Sequence, residues 1–156
     1  MAVSGDSLFS SDQDGVLMQF SIPEKKLLKN YSKIHTGEIW SIAATKNSIW
    51  LFTSDFDGNL KQIDVNARAI SKDFGKVHQG HIYLITCTVD SIYLFTSDFE
   101  GHLKQFSCNN KVMIKDYGKV HEGHIIACIA TPDSKYLFTA DSNGYLIQYG
   151  VHKHEM

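Results

Sequence analysis

Residues 51–62 read Leu-Phe-Thr-Ser-Asp-Phe-Asp-Gly-Asn-Leu-Lys-Gln, and residues 94–105 read Leu-Phe-Thr-Ser-Asp-Phe-Glu-Gly-His-Leu-Lys-Gln. The second stretch begins 43 residues after the first and differs from it at two positions. The same spacing runs through the whole chain: it separates Phe9, Phe52, Phe95 and Phe138, then Gly15, Gly58, Gly101 and Gly144, then Gln19, Gln62, Gln105 and Gln148. Between residues 49–91 and 92–134, 24 of 43 positions are identical, with no insertion or deletion. A fixed period of this length marks an array of repeated structural units. The units run approximately over 6–48, 49–91, 92–134 and, in part, 135–156, within a single domain spanning 1–156.

Each unit divides into short strands separated by turn signals. In the third, Ile82 to Thr88 is β-branched and aromatic and closes on Val89-Asp90-Ser91, and Ile92 to Ser97 closes on Asp98-Phe99-Glu100-Gly101. His102 to Ser107 follows, ended by Cys108-Asn109-Asn110, and then the more polar Lys111 to Asp116. Three strands apolar on both faces and a mixed fourth suit a sheet stacked between two neighbours, with only its rim in water. Asp14-Gly15, Asp57-Gly58, Glu100-Gly101 and Asn143-Gly144 suit tight hairpins in which glycine takes positive φ. No capping box or sustained 3.6-residue stripe signals a helix. The expected class is therefore all-β, with antiparallel sheets and 14 strands.

Composition excludes several functions. With 15 basic and 17 acidic side chains the formal charge is −2, so no overall field draws in nucleic acid or an anionic membrane. Apolar runs such as Ile125 to Ala130 are too short to span a bilayer, and the N-terminus lacks the basic-then-apolar pattern of a secretory signal. Cys87, Cys108 and Cys128 are odd in number and without C-x-x-C spacing, which fits reduced core residues and a cytoplasmic, intracellular setting.

The order Gly-His, strand, strand, Asp-Gly turn, strand ending in an aromatic resembles the WD repeat, over essentially the whole chain. Gly80-His81 and Gly123-His124 match that family's Gly-His pair, and Gly37-Glu38 departs from it. Asp14 and Asp57 match its turn aspartate; Glu100 and Asn143 stand there in later units. Its tryptophan is replaced by Phe20, Ile63, Phe106 and Tyr149. The resemblance implies a β-propeller segment of about four blades. It also implies an internal hydrogen-bonded network in each blade, placed on His81, Thr96 and Glu100 or their equivalents (His124, Thr53, Asp57) without the indole N–H. WD-type rings usually close with about seven blades. Four would leave two apolar flanks, so half of a closed ring is expected, completed by a second copy, by another protein's ring, or by more of a longer polypeptide. Residues Met1 to Gly5 are a candidate for a missing strand.

The resemblance further implies that partners bind on the loops between the second and third strands and those entering the first. There lie Phe56 and Phe99 at the hairpin tips, with Trp40 and Tyr83 two residues beyond the Gly-His position. Large exposed aromatics are typical binding hot spots; folding over a neighbouring blade is the alternative for Phe56 and Phe99, and packing at the channel mouth for Trp40 and Tyr83. Asp55 and Asp98 belong to an acidic ring that would attract basic segments, or else they close their own turns by accepting backbone N–H bonds. Gln62 and Gln105 share strand parity with Leu60 and Leu103, so each is expected to be buried and bonded to an adjacent blade. Lys61 and Lys104 snorkel across a blade face.

No metal or other cofactor is expected. The EF-hand pattern is absent, and the His78/His81, His121/His124 and His152/His154 pairs lack further ligands. No nucleophile elbow, phosphate loop or Cys/His pair supports an enzyme. The expected function is a protein–protein interaction scaffold that holds a protein or peptide of a larger assembly and acts as a homodimer or within a larger propeller. The alternatives are a lectin-like protein with equivalent inter-blade sugar sites, and a blade array with no ligand of its own.

Overall fold

The computed structural model describes residues 1–151; His152 and His154 lie outside the described residues. Fifteen strands form four antiparallel sheets, each in sequence order, and no helix occurs among the described residues. The first sheet holds β1 (Ala2–Ser4), β2 (Ser7–Ser11), β3 (Val16–Ser21) and β4 (Lys26–Lys33). The second holds β5 (Ile39–Ala44), β6 (Trp50–Asp55), β7 (Asn59–Asp64) and β8 (Ala69–Lys76). The third holds β9 (Ile82–Cys87), β10 (Tyr93–Asp98), β11 (His102–Ser107) and β12 (Met113–Lys119). The fourth has β13 (Ile125–Ala130), β14 (Tyr136–Asp141) and β15 (Leu146–Gly150).

Strand β5 lies against β1 and β9, and β9 against β13. The first strands thus line an axis around which the sheets stand side by side as blades, the arrangement of a β-propeller segment. The strand total exceeds the expected 14 by one, because Ala2–Ser4 pairs with Ser7–Phe9 and gives the first blade an inner strand of its own. Strand β1 lies within Met1 to Gly5, the candidate for a missing strand. The 43-residue period is offset from the sheets: residues 49–91 supply β6, β7 and β8 of one blade and β9 of the next.

Burial follows position in the blade. Every residue of β10 is buried, whereas β4 and β8 are mostly exposed. Three apolar junctions repeat with the period. Phe9 and Leu17 of the first blade pack with Leu51, Ile63 and Val65 of the second. Phe52 and Leu60 pack with Leu94, Phe106 and Cys108, and Phe95 and Leu103 pack with Leu137. Burying one such side chain is worth about 1.5–3 kcal/mol, so these junctions dominate the stability of the stack.

Polar bonds at the junctions are less uniform than the sequence suggests. Gln62 donates through Nε2 to the Cys108 carbonyl of the next blade at 2.8 Å, as expected. Gln19 donates instead to Ser7 Oγ (2.9 Å) and accepts from the Tyr31 hydroxyl, both in its own blade, and Gln105 Oε1 accepts from the Tyr117 hydroxyl. The Tyr31 and Tyr117 hydroxyls donate to the amide oxygen; the second blade has Phe74 there, and Gln62 Oε1 is buried without a hydrogen-bond partner among the described residues. The third blade's Ser91 hydroxyl accepts from the Asn47 N–H, and the fourth blade's Ser134 from the Asp90 N–H, stitching neighbouring turns.

Gly58 is fixed by two constraints. Its φ is +87°, and its carbonyl accepts from the Val77 and His78 amides of the loop leading to the next blade. A Cβ here would stand 2.2 Å from the His78 carbonyl oxygen. Gly75 has φ +65° but open space around it. In urea denaturation, Gly75→Ala is expected to cost about 1 kcal/mol, and Gly58→Ala at least about 2 kcal/mol more, from the backbone collision.

Candidate interaction face

The loops at one end of the blades carry two separate sets of groups, one buried and one exposed. The buried set is a histidine, a threonine and an aspartate. His35 reaches from the loop after β4 to β6 in the next blade: Nδ1 lies 2.9 Å from Asp55 Oδ2 and Nε2 lies 2.8 Å from Thr53 Oγ1. His78 repeats this with Asp98 (3.0 Å) and Thr96 (2.8 Å). His121 repeats it with Thr139 (2.7 Å) and, more loosely, Asp141 (3.4 Å). The partners set the tautomer: Nδ1–H donates to the carboxylate, and neutral Nε2 accepts from the threonine hydroxyl. With the hydroxyl in place, both ring nitrogens are partnered without an indole.

Two sequence expectations are corrected here. The network includes Thr53 and Thr96 as anticipated, but not His81, His124, Asp57 or Glu100. Its histidine lies three residues earlier and its acid two residues earlier. Counting back four residues from the buried inner-strand isoleucines Ile39, Ile82 and Ile125 reaches His35, His78 and His121. Unlike the Gly-His histidine, these three recur at all three of those positions, and that completeness was the available signal. Of the two readings of Asp55 and Asp98, an acidic binding surface or closure of their own turns, the structure takes the second: they are 0% and 1% exposed. Asp55 Oδ1 accepts from the Asp57 and Asn59 amides, and Asp98 Oδ1 from Glu100 and His102. Closing the hairpin while holding the histidine turns these carboxylates inward. Asp12, Asp14, Asp57 and Glu100 remain exposed.

The exposed set is aromatic. Trp40, Phe56 and Phe99 are 43%, 51% and 38% exposed, and Tyr83 is half-buried. His81 sits between the two phenylalanines, stacked on Phe56 (centroids 4.8 Å, 6° between planes) and tilted against Phe99 (4.7 Å). Trp40 meets Phe56, His81 and Tyr83 at 5.7–6.1 Å, and Tyr83 meets Phe99 at 6.2 Å. His124 stacks on the other side of Phe99, and its Nδ1–H donates to the Phe99 carbonyl. The sequence-predicted Trp40, Phe56, Tyr83 and Phe99 are thus brought together with the two histidines that had been assigned inside the blades. Among the described residues, no group of three His, Cys, Asp or Glu side chains is placed to hold a metal ion.

These observations define the class by its fold: a β-propeller segment of repeated antiparallel blades. Residues 25–64, from the outer hairpin of the first blade through β7, match the family model of the WD domain, G-beta repeat. A solved structure, the computationally designed Ika4 protein, shares the fold with a TM-score of 0.83 at 16% identity, over 97% of this chain and 89% of that one. It is one of 1318 matching chains of solved structures, so the likeness describes the architecture and leaves function to the loops. No curated protein matches the chain.

Acid should dismantle the buried network in two stages. Burial holds His35 below its ordinary 6.5, outweighing the nearby Asp55 carboxylate. For Asp98, burial opposes ionisation, but hydrogen bonds from the His78 side chain and the His102 backbone hold it at about 2 rather than 3.8. A group with a lowered folded-state pKa stabilises the protein above its unfolded value, and that stabilisation is lost as pH falls through the folded value. Stability measured by urea denaturation across pH is expected to fall first below about pH 6.5, as His35 is forced to charge. A second loss of about 2 kcal/mol is expected between about pH 4 and pH 2, and Asp98→Asn should diminish it.

Proposed function

We propose that the protein is a non-catalytic interaction scaffold whose aromatic loop face docks a protein or peptide segment. WD-repeat domains are generally scaffolds of this kind. One observation carries the reading for this chain: the Trp40, Phe56, His81, Tyr83, Phe99 and His124 rings form one contiguous surface, with three of them more than a third exposed. The blade junctions are complete without these side chains, and aromatic clusters of this sort supply the energetic centre of protein interfaces. Asp57 and Glu100, each next to a tip phenylalanine and exposed, favour a segment carrying lysine or arginine, by charge complementarity and cation–π contact. The rings touch one another rather than lining separate equivalent pockets, which favours an extended polypeptide over repeated sugar sites. The uncovered flanks of the first and fourth blades are a second surface of the scaffold, completed by another copy, another chain or more of a longer polypeptide.

Selection of peptides from a displayed random library, followed by calorimetric titration of the enriched sequences, tests this. Basic-apolar sequences are expected, with affinity reduced at least tenfold by Phe56→Ala combined with Phe99→Ala while the melting temperature is unchanged. Enriched peptides whose binding ignores both substitutions would sink the reading.

A further inference from the structure

At each internal junction, one blade presents a phenylalanine, a leucine and a glutamine, and the next presents a leucine, a second apolar residue and a small one. Among the described residues, nothing covers the first set on the fourth blade as it is covered at the internal junctions. Leu17, Leu60 and Leu103 are 0% exposed, whereas their counterpart Leu146 is 68% exposed. Phe138 is partly uncovered and Gln148 exposed. At the opposite end, the first blade presents the second set. Leu8, Phe20 and Ile22 lie 43 residues before the buried Leu51, Ile63 and Val65, yet Leu8 and Phe20 are partly open and Ile22 is 48% exposed.

Where the first blade departs from its repeats, it departs toward a dry interface. On this same face the inner blades carry Lys61 paired with Asp73 and Lys104 paired with Asp116. The first blade has Met18 opposite Asn30 at those positions. Met18 thus adds an apolar side chain to the Leu8, Phe20 and Ile22 flank, and covering that flank desolvates no charge at this position.

We infer that the Leu146 flank of one molecule docks on the Ile22 flank of a second copy, head to tail, and that two such junctions close two copies into an eight-blade ring. A second copy is the occupant because one molecule carries both halves of the contact it repeats internally three times. Unlike faces meeting across a two-fold axis form a closed pair with two identical junctions, and eight blades is within the range of known propellers. In each junction Gln148 takes the place of Gln62, whose amide reaches the carbonyl at Cys108; the corresponding carbonyl is that of Ile22. The inference rests on reading the flanks as a covered surface and is independent of the aromatic loop face.

Light scattering on the full chain at micromolar concentration is expected to give the mass of two copies. Leu146→Glu and Ile22→Glu, both at exposed positions, are each expected to give folded monomers by circular dichroism, with dissociation constants raised at least 100-fold. Mixing the two variants should restore a pair, because one junction then has both native flanks. A monomeric wild type or a larger open polymer overturns the inference. So does a like-to-like contact, in which one variant stays dimeric alone and mixing rescues nothing. Peptide binding to the loop face by a wild-type monomer would overturn this inference while leaving the proposed function in place.

Discussion

A sheet that is apolar on both faces cannot stand alone in water, and the inner sheets of this chain are of that kind. The covering surface is always the next sheet, so the Phe-Leu face of one blade meeting the Leu-Ile or Leu-Phe face of the next is the contact from which the rest follows. It places the first strands around an axis and sends the connecting loops across from one blade's rim to its neighbour's centre. His35, His78 and His121 lie on those crossing segments and are bonded into the following sheet. Gly58 and Gly101 receive the same segments through their carbonyls. The buried polar groups therefore fasten the crossing that sheet stacking requires.

The rim faces the opposite constraint. Strands β4, β8 and β12 end their sheets with unpaired backbone edges, a liability for association. Their exposed positions carry Lys26, Lys29, Lys33, Lys72, Lys76 and Lys119, with Lys115 beside them. Lys29, Lys72 and Lys115 also lie over Tyr31, Phe74 and Tyr117, covering the ring while the ammonium stays in water. Positive charge thus guards the outer edges, while aromatic surface and the exposed Asp57 and Glu100 gather at the loop end. A molecule almost neutral in total is well sorted by location.

The repeat made most of this fold legible without coordinates. The period, the strand order, the acidic-Gly hairpins and the pairing of Phe and Leu on one face are all sequence regularities with a direct structural meaning. What escaped was set by geometry finer than a strand. Three residues are too few to show alternation, so β1 was placed only by the blade's need for another strand, which pointed to Met1 to Gly5. Choosing between two histidines three residues apart depends on how a loop approaches the sheet, and a motif match chose the wrong one. Asp55 and Asp57 are chemically alike, yet only the first has its carboxylate turned inward by the hairpin. The gathering of Trp40, Phe56, Tyr83 and Phe99 was anticipated by position along the loops. The insertion of His81 between the rings was not, because stacking across blades leaves no periodic mark.

The offset between the sequence unit and the sheet has a consequence for how the molecule comes apart. Each unit donates its last strand to the centre of the following blade, as β9 does for the blade of β10, β11 and β12. A blade that loosens therefore strips its neighbour's innermost strand as well as its own packing surface. Nearest-neighbour coupling of this covalent kind pushes a linear array toward all-or-none melting. It also means that 43 residues can be gained or lost anywhere along the chain without breaking a hairpin, so the count of blades is free to drift while the design of each one stays constant.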